Sequence, residues 1–557
     1  MEKILLIEPN YKNKYPPIGL MKISSYFKAK GDFVQFHKGL LPKKDVISFD
    51  KIFITTLFTF DFEMCIQTIN YYKSILGAQN IFVGGIAATI MPERFRQEAP
   101  DINLLEGQLT TSNALGYQDN INIDIMPLDY DILWDIEYDY PAADSYFIYT
   151  SRGCPRKCNF CAVKTLEPNF YDCQNIKEQI KQVDNNFGTK RQLLIMDNNI
   201  LYSSKFEETV DILESLGFGV KNNVFKKNSK IKYYIQGIIE RINAEKDYSC
   251  LLLRIKKEFT SLKYSRIKAE DKQKLQVYSL LIEKKDDEHF VDLLVKERKY
   301  LEDFFDRYHY HKIKRYVDFN QGLDARLFTD EKAEIMSRIA VKPCRIAFDH
   351  IEDKDTYLNA IETAAKHGIK EFSNYILYNY KDKPEDLWTR LYINVMFCEK
   401  HKSQKISLFS FPMKYASIED TNRNYVGTHW CKKFLRSINV ILNVTSGVVA
   451  KERDFFERAF GTTESEFIEI LSMPDDFIRH RDFFDKNSIS DAWKKEYRKL
   501  STDDKKTLLD ILSSKKADSA ASKLMHKKEL DYILSFYSIK KADVESNPLY
   551  YKRLYNS

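Results

Sequence analysis

Three cysteines within eight positions, Cys154, Cys158 and Cys161, narrow most what this chain can become. They follow Tyr146-Phe-Ile-Tyr-Thr-Ser-Arg, which reads as a β-strand, and Gly153, which reads as a turn. Thiolates are soft ligands that suit zinc or iron–sulfur clusters, and a short loop can wrap three of them around one corner of a small object. A structural zinc site wants four protein ligands, usually as two C-x2-C knuckles. Only Cys158 and Cys161 form such a pair, and Cys173, twelve residues further on, matches no common knuckle. Three ligands on a four-iron cluster leave one iron open, which a purely electron-carrying cluster does not need.

The spacing C-x3-C-x2-C, with Phe160 as the aromatic before the last cysteine, resembles the signature of radical S-adenosylmethionine (radical SAM) enzymes. The resemblance implies a [4Fe–4S] cluster on Cys154, Cys158 and Cys161, which are then both metal ligands and catalytic residues. It also implies that S-adenosylmethionine chelates the open iron through its amino and carboxylate groups, with Phe160 helping to seat the adenine. One electron, from a flavodoxin- or ferredoxin-type reductant, would cleave the sulfonium and release a 5′-deoxyadenosyl radical that modifies a substrate no motif identifies.

That family folds as a (β/α)6 partial TIM barrel, so strands should alternate with helices beyond the loop. Leu193 to Asn199 reads as a second strand and Tyr316 to Arg326 as a third, with Thr329 capping the next helix. Cys344 to His350, Phe372 to Tyr378 and Ile406 to Met413 read as the fourth, fifth and sixth. A helical pattern from Asp355 to His367 closes at Gly368. Ligands in parallel α/β folds sit at the carboxyl ends of strands. By the resemblance, the second strand's end approaches the S-adenosylmethionine amine, and the fourth and fifth approach its ribose and adenine. Asp197, Asn199, Gln321, Arg326 and Asp349 are therefore the cofactor-binding candidates. Asp and Asn also end strands because they make turns and cap helices, so both readings stand for each. The Gly-Gly-Glu that the family carries after its second strand is absent.

Ahead of the loop, Lys3 to Ile7, Lys51 to Thr56 and Asn80 to Gly85 read as strands, with helices to Lys30 and near residues 61–76. This order predicts a doubly wound sheet. Tyr-Pro-Pro-Ile-Gly-Leu20, Val-Gly-Gly85 and Leu-Leu-Glu-Gly107 resemble the B12-binding-like domain that precedes many radical SAM barrels, and Asn374 to Leu387 resembles the fifth-strand region of that branch. The glycines at 84 and 85 would let a backbone approach a ligand. Whether cobalamin is bound stays open, because the Asp-x-His-x-x-Gly motif is missing and members of this branch often lack it. With cobalamin the chemistry would be methyl transfer; without it, hydrogen abstraction.

The expected fold class is α/β: a Rossmann-like domain over 1–125, a partial barrel over 126–220 and 317–418, a helical insertion over 221–316 and a helical domain over 419–557. The insertion carries 24 Lys and Arg against 15 Asp and Glu, while the remaining chain carries 62 against 65. A basic helical arm could hold nucleic acid through its phosphates, which makes a nucleic-acid or protein-binding adaptor with a structural metal the competing reading. Mixed signs within the segment favour a solvated face, and a lid over the active site or a surface for a partner protein stands beside the nucleic-acid reading. His429 and Trp430 could face substrate or pack together in a helical core. The chain lacks an apolar run near the roughly 20 residues that span a bilayer, so no membrane partner and a cytoplasmic location are expected.

Overall fold

The computed structural model describes every residue except 174, 228, 309–310, 419, 421, 423, 450, 515–527 and 556–557. Its chain divides into two compact units, residues 1–321 with 338–341 and residues 322–337 with 342–557.

In the first unit, five short runs make one parallel sheet: β1 (Lys3–Glu8), β2 (Phe33–Lys38), β3 (Lys51–Thr55), β4 (Ile81–Gly84) and β5 (Asn103–Leu105). Their order is β2-β1-β3-β4-β5, a doubly wound arrangement. Ile4 to Ile7 are fully buried, as a central strand covered on both faces requires. The helix Phe62–Leu76 packs Cys65, Ile69 and Tyr72 against the sheet, beside Leu5, Ile52 and Ile54. The strands β2 and β5 add to the expected set; β2 is an edge strand whose alternating burial is weak, and β5 has three residues.

Gly85 has φ +110°, and a Cβ on it would lie 2.4 Å from the Thr56 carbonyl oxygen. The close approach that needs this glycine is made by the chain's own backbone at the end of β3.

Next come β6 (Ser145–Ile148), β7 (Ser151–Arg152), β8 (Tyr171–Asp172) and β9 (Gln192–Ile195), then β10 (Val224–Lys227), β11 (His311–Lys314) and β12 (Tyr316–Phe319). A second parallel sheet has the order β12-β9-β6, with Leu193 paired to Tyr146 on one side and Val317 on the other. The expected second and third strands end early, at Ile195 and Phe319, because the polar residues beyond them turn away into loops. β7 pairs antiparallel with β8. The insertion is helical, as read, with helices Ile231–Asn243, Ser249–Thr260, Ala269–Lys284, Asp287–Lys296 and Arg298–Tyr308 around a core that includes Ile238, Phe259, Tyr278 and Phe305. Its stem, the antiparallel ribbon β10–β11, is new; its short lysine-bearing strands carry little apolar periodicity.

An aspartate-rich connector, residues 119–144, binds these parts together. Asp131 pairs with Lys28 at 2.7 Å and with Arg241; Asp135 pairs with Arg241 at 2.8 Å and Lys246 at 2.7 Å. Asp144 pairs with Lys227 and, at 3.6 Å, Lys230. Part of the insertion's positive charge is therefore spent inside the protein.

In the second unit, β13 (Cys344–Arg345), β14 (Glu371–Tyr378) and β15 (Ser407–Lys414) form a parallel sheet in sequence order. The expected fourth strand shrinks to two residues plus a bridge between Leu323 and Ile346. Thr329 caps the helix Asp330–Ser337, its hydroxyl accepting from the Lys332 N–H at 3.2 Å. The helix Lys354–Lys366 ends before Gly368, whose φ is +86°. From Lys432 the described chain is mainly helical around Phe456, Phe467, Phe484 and Trp493, while much of the expected charged tail, 515–527, lies outside the described residues. No helix among the described residues is long and apolar enough to cross a membrane.

Arg241 is 2% exposed and serves two buried carboxylates, so removing it strands both. Arg241→Met should cost about 3–5 kcal/mol, read as a lower denaturant midpoint. An unchanged midpoint would show that the connector does not depend on this pair.

Candidate functional site

Parallel pairing puts the carboxyl ends of β6, β9 and β12 on one edge of their sheet, the edge where α/β folds place ligands. Three loops leave it: the cysteine loop after β6, Asp197-Asn198-Asn199 after β9, and Asn320-Gln321 after β12.

The cysteine loop is tied at both ends to one carboxylate. Glu167 pairs with Arg152 at 2.8 Å and accepts from the Gly153 N–H at 2.7 Å, so the loop's last residue holds its first two. It also accepts from the Asn198 amide at 2.6 Å, joining the second loop to the first. Arg152 reaches Asp124 as well, and its guanidinium lies 3.2 Å from the Tyr149 ring centre. Asp124 in turn pairs with Lys22 at 2.9 Å, and the two cations hold its carboxyl below the usual range against the pull of burial. Gly153 has φ +71°, and a Cβ there would come 2.1 Å from the Asn169 carbonyl oxygen, so the turn admits no side chain.

Within that frame the cysteines are half-buried and none is in a disulfide. The Cys161 N–H donates to the Cys158 carbonyl at 3.1 Å, which folds the last two toward each other, with Phe160 half-buried between them. Asn199 is 3% exposed, and its amide donates to the Cys154 sulfur at 3.5 Å. Such outer hydrogen bonds to a ligating sulfur tune iron–sulfur potentials. Among the described residues, no three His, Cys, Asp or Glu side chains converge closely enough to hold a single metal ion, and Cys173 does not join the loop's three. One ion needs its ligands at about 2.3 Å from a common point, whereas a four-iron cluster takes each cysteine on a different iron and needs no such point. The donor set, three cysteines on one loop with an amide on one sulfur and none in a disulfide, fits the cluster in kind.

Asp197 makes the turn after β6. Its carboxylate accepts from the Thr150 N–H and the Ser151 hydroxyl, both at 2.7 Å, and from the Thr150 hydroxyl. Burial pushes its pKa up to about 6 despite these bonds. Of the two readings of this residue, the contacts describe the turn-maker. Gln321 is exposed at the end of β12, beside Asn320, which accepts from the Tyr15 hydroxyl at 2.8 Å. Arg326 and Asp349 belong to the second unit. There Arg326 donates to Asp324 at 2.7 Å. Burial raises the Asp349 carboxyl, and the Asp349 backbone oxygen accepts from the buried Arg390 at 2.7 Å. Trp430 is packed, donating to the Asp382 carbonyl at 2.9 Å, while His429 is exposed.

Sequence reasoning missed Glu167, Thr150 and the Asp124–Lys22 pair, none of which carries a local signal. Arg152 did carry one: a cation directly before the turn of an apolar run is unusual unless a carboxylate awaits it.

At the carboxyl edge of the N-terminal sheet, Glu8 is 1% exposed and pairs with Lys38, and the Tyr140 hydroxyl donates to Glu8. Lys38 also lies 4.8 Å from the Tyr138 ring centre and 5.1 Å from that of Tyr11. Gly85 lies against the Thr56 carbonyl at the same edge.

Asp197 also sets a pH dependence. A buried carboxyl with a raised pKa favours the protonated fold, so its contribution is full below about pH 4 and is lost as pH rises toward about 6. Asp197→Asn should therefore gain about 2–3 kcal/mol on the wild type across that window and no more above it. Parallel urea titrations at pH 4, 6 and 8 check this, and a gap that does not change with pH would contradict it. No family model matches the chain, and no curated protein matches it.

Proposed function

We propose that the protein is a radical SAM enzyme, with a [4Fe–4S] cluster on Cys154, Cys158 and Cys161 and S-adenosylmethionine as the cluster's partner. One observation carries the reading. Three cysteines outside any disulfide, spaced C-x3-C-x2-C with Phe160 before the last, leave the carboxyl edge of a parallel sheet on a loop stapled by Glu167. The family's partial barrel belongs to the proposal, as does the reductant.

When bound, the cluster supplies one electron to a sulfonium. The chain's own residues do the rest. Glu167 and Arg152 keep the loop closed on itself, so the thiols are presented with little freedom left to lose. Asn199 donates to the Cys154 sulfur and so gives that donor an outer hydrogen bond. Phe160 offers a flat apolar face beside the last thiol, suited to an adenine ring. Asp197 fixes the backbone at Thr150 and Ser151, from which the loop departs. The adaptor reading draws less support, because Lys227, Lys230, Arg241 and Lys246 of the insertion already face aspartates of the connector.

The test is anaerobic: reconstituted protein, dithionite and S-adenosylmethionine, with 5′-deoxyadenosine read by mass spectrometry. The wild type should form it and Cys158→Ala should not. Asn199→Ala should keep its iron but form product about 10-fold more slowly. Iron-loaded wild type that forms no product, with or without candidate substrates, would count against the assignment.

A further inference from the structure

At the amino edge of the β6–β9 sheet, away from the cysteine loop, lies a cavity of about 220 Å³. Its walls include Tyr130, Trp134, Phe187 and Tyr234, set ring against ring at 5.3 to 5.9 Å. Lys190, just before β9, also lines it and is 4% exposed. Its backbone is pinned on both sides: the N–H donates to the Tyr146 hydroxyl at 3.0 Å, and the carbonyl accepts from Arg315 Nε at 3.3 Å. The Lys190 amine donates to the Phe187 carbonyl at 3.1 Å and sits 4.3 Å from the Tyr130 ring centre.

What this amine lacks is a counter-charge. Among the described residues, no carboxylate lies within ion-pair distance of it. The nearest acids are committed elsewhere, Asp144 to Lys227 and Lys230 and Asp184 to the Tyr146 hydroxyl; Arg254, on the cavity wall, pairs with Asp139. A buried ammonium without a partner is costly, and the cost is avoided when the amine is neutral. Burial first, then the Lys230 ammonium and, less strongly, that of Lys227, push the Lys190 pKa down to about 7, against opposing pulls from Asp144 and Asp184. A neutral, fixed amine in an aromatic hollow is a nucleophile in the setting where lysines form imines.

We propose that this cavity is a second ligand site, in which the Lys190 amine condenses with a small aromatic aldehyde. The nitrogen lone pair attacks the carbonyl carbon, the two amine protons pass in turn to the carbonyl oxygen, and water leaves as the C=N bond forms. No electrons are gained or lost. The rings supply stacking for one aromatic ring, and the volume limits the ligand to about that size.

Full-length protein treated with benzaldehyde and sodium cyanoborohydride, then mapped by peptide mass spectrometry, tests this. The hydride reduces the imine to a stable benzylamine. At pH 7 an ordinary lysine is neutral in fewer than about one molecule in a thousand, so Lys190 should be labelled at least about 10-fold above the exposed lysines. Its labelling should reach half its maximum near pH 7, where the other lysines still rise steeply. Lys190→Met, which removes an unpaired buried amine, should melt no lower than the wild type and lose that adduct alone. Labelling of Lys190 no faster than that of exposed lysines would overturn the proposal, and the wild-type pH profile decides it even without the variant. Benzoate slowing the labelling would fit an occupied cavity, whereas an adduct that forms equally in unfolded protein would overturn the site.

Discussion

Much of the first unit hangs on the buried carboxylates of one connector, residues 119–144. Asp124 holds Lys22 of an N-terminal helix and Arg152 of the cysteine loop. Asp131 and Asp135 hold Lys28, Arg241 and Lys246, and Asp144 holds the start of the insertion through Lys227. The doubly wound sheet, the cysteine loop and the insertion thus share one set of anions. A deeply buried pair such as Arg241 with Asp135 adds little net stability over apolar contacts, but breaking it leaves an uncompensated charge, so it fixes which surfaces meet.

That fixing matters for the loop. Its cysteines stand on a segment whose first and last residues meet at Glu167, whose start is set by Asp197 and whose turn is set by Gly153. A loop so constrained holds its cysteines on a fixed backbone. The same sheet carries at its other edge the amine of Lys190, which donates to the Phe187 carbonyl and forms no ion pair with the connector's aspartates among the described residues. Two distinct chemistries, soft sulfur donors at one edge and a nitrogen nucleophile at the other, follow from where the connector places its charges.

Much of the architecture was legible in the residues. Central strands such as Ile4 to Ile7 are continuous apolar runs, and helices such as Phe62–Leu76 carry their own periodicity. Edge strands and ribbons were not, because β2, β5 and β10–β11 are short or half-exposed and their pairing is decided by partners far along the chain. The cysteine loop announces itself by spacing, and Phe160 with it. The role of Asp197 does not: a carboxylate after a strand reads equally as ligand and as turn-maker, and only its contacts with Thr150 and Ser151 separate the two. Gly85 is a similar case, since its need for a bare Cα comes from Thr56, twenty-nine residues earlier.

The central claim is that three cysteines hold four irons and leave one of them open. Mössbauer spectroscopy of protein reconstituted with iron-57 reads that asymmetry directly. The account predicts about four irons per chain, one of which changes its signal when S-adenosylmethionine is added. Protein that takes up no iron, or a cluster whose irons all ignore S-adenosylmethionine, would contradict it.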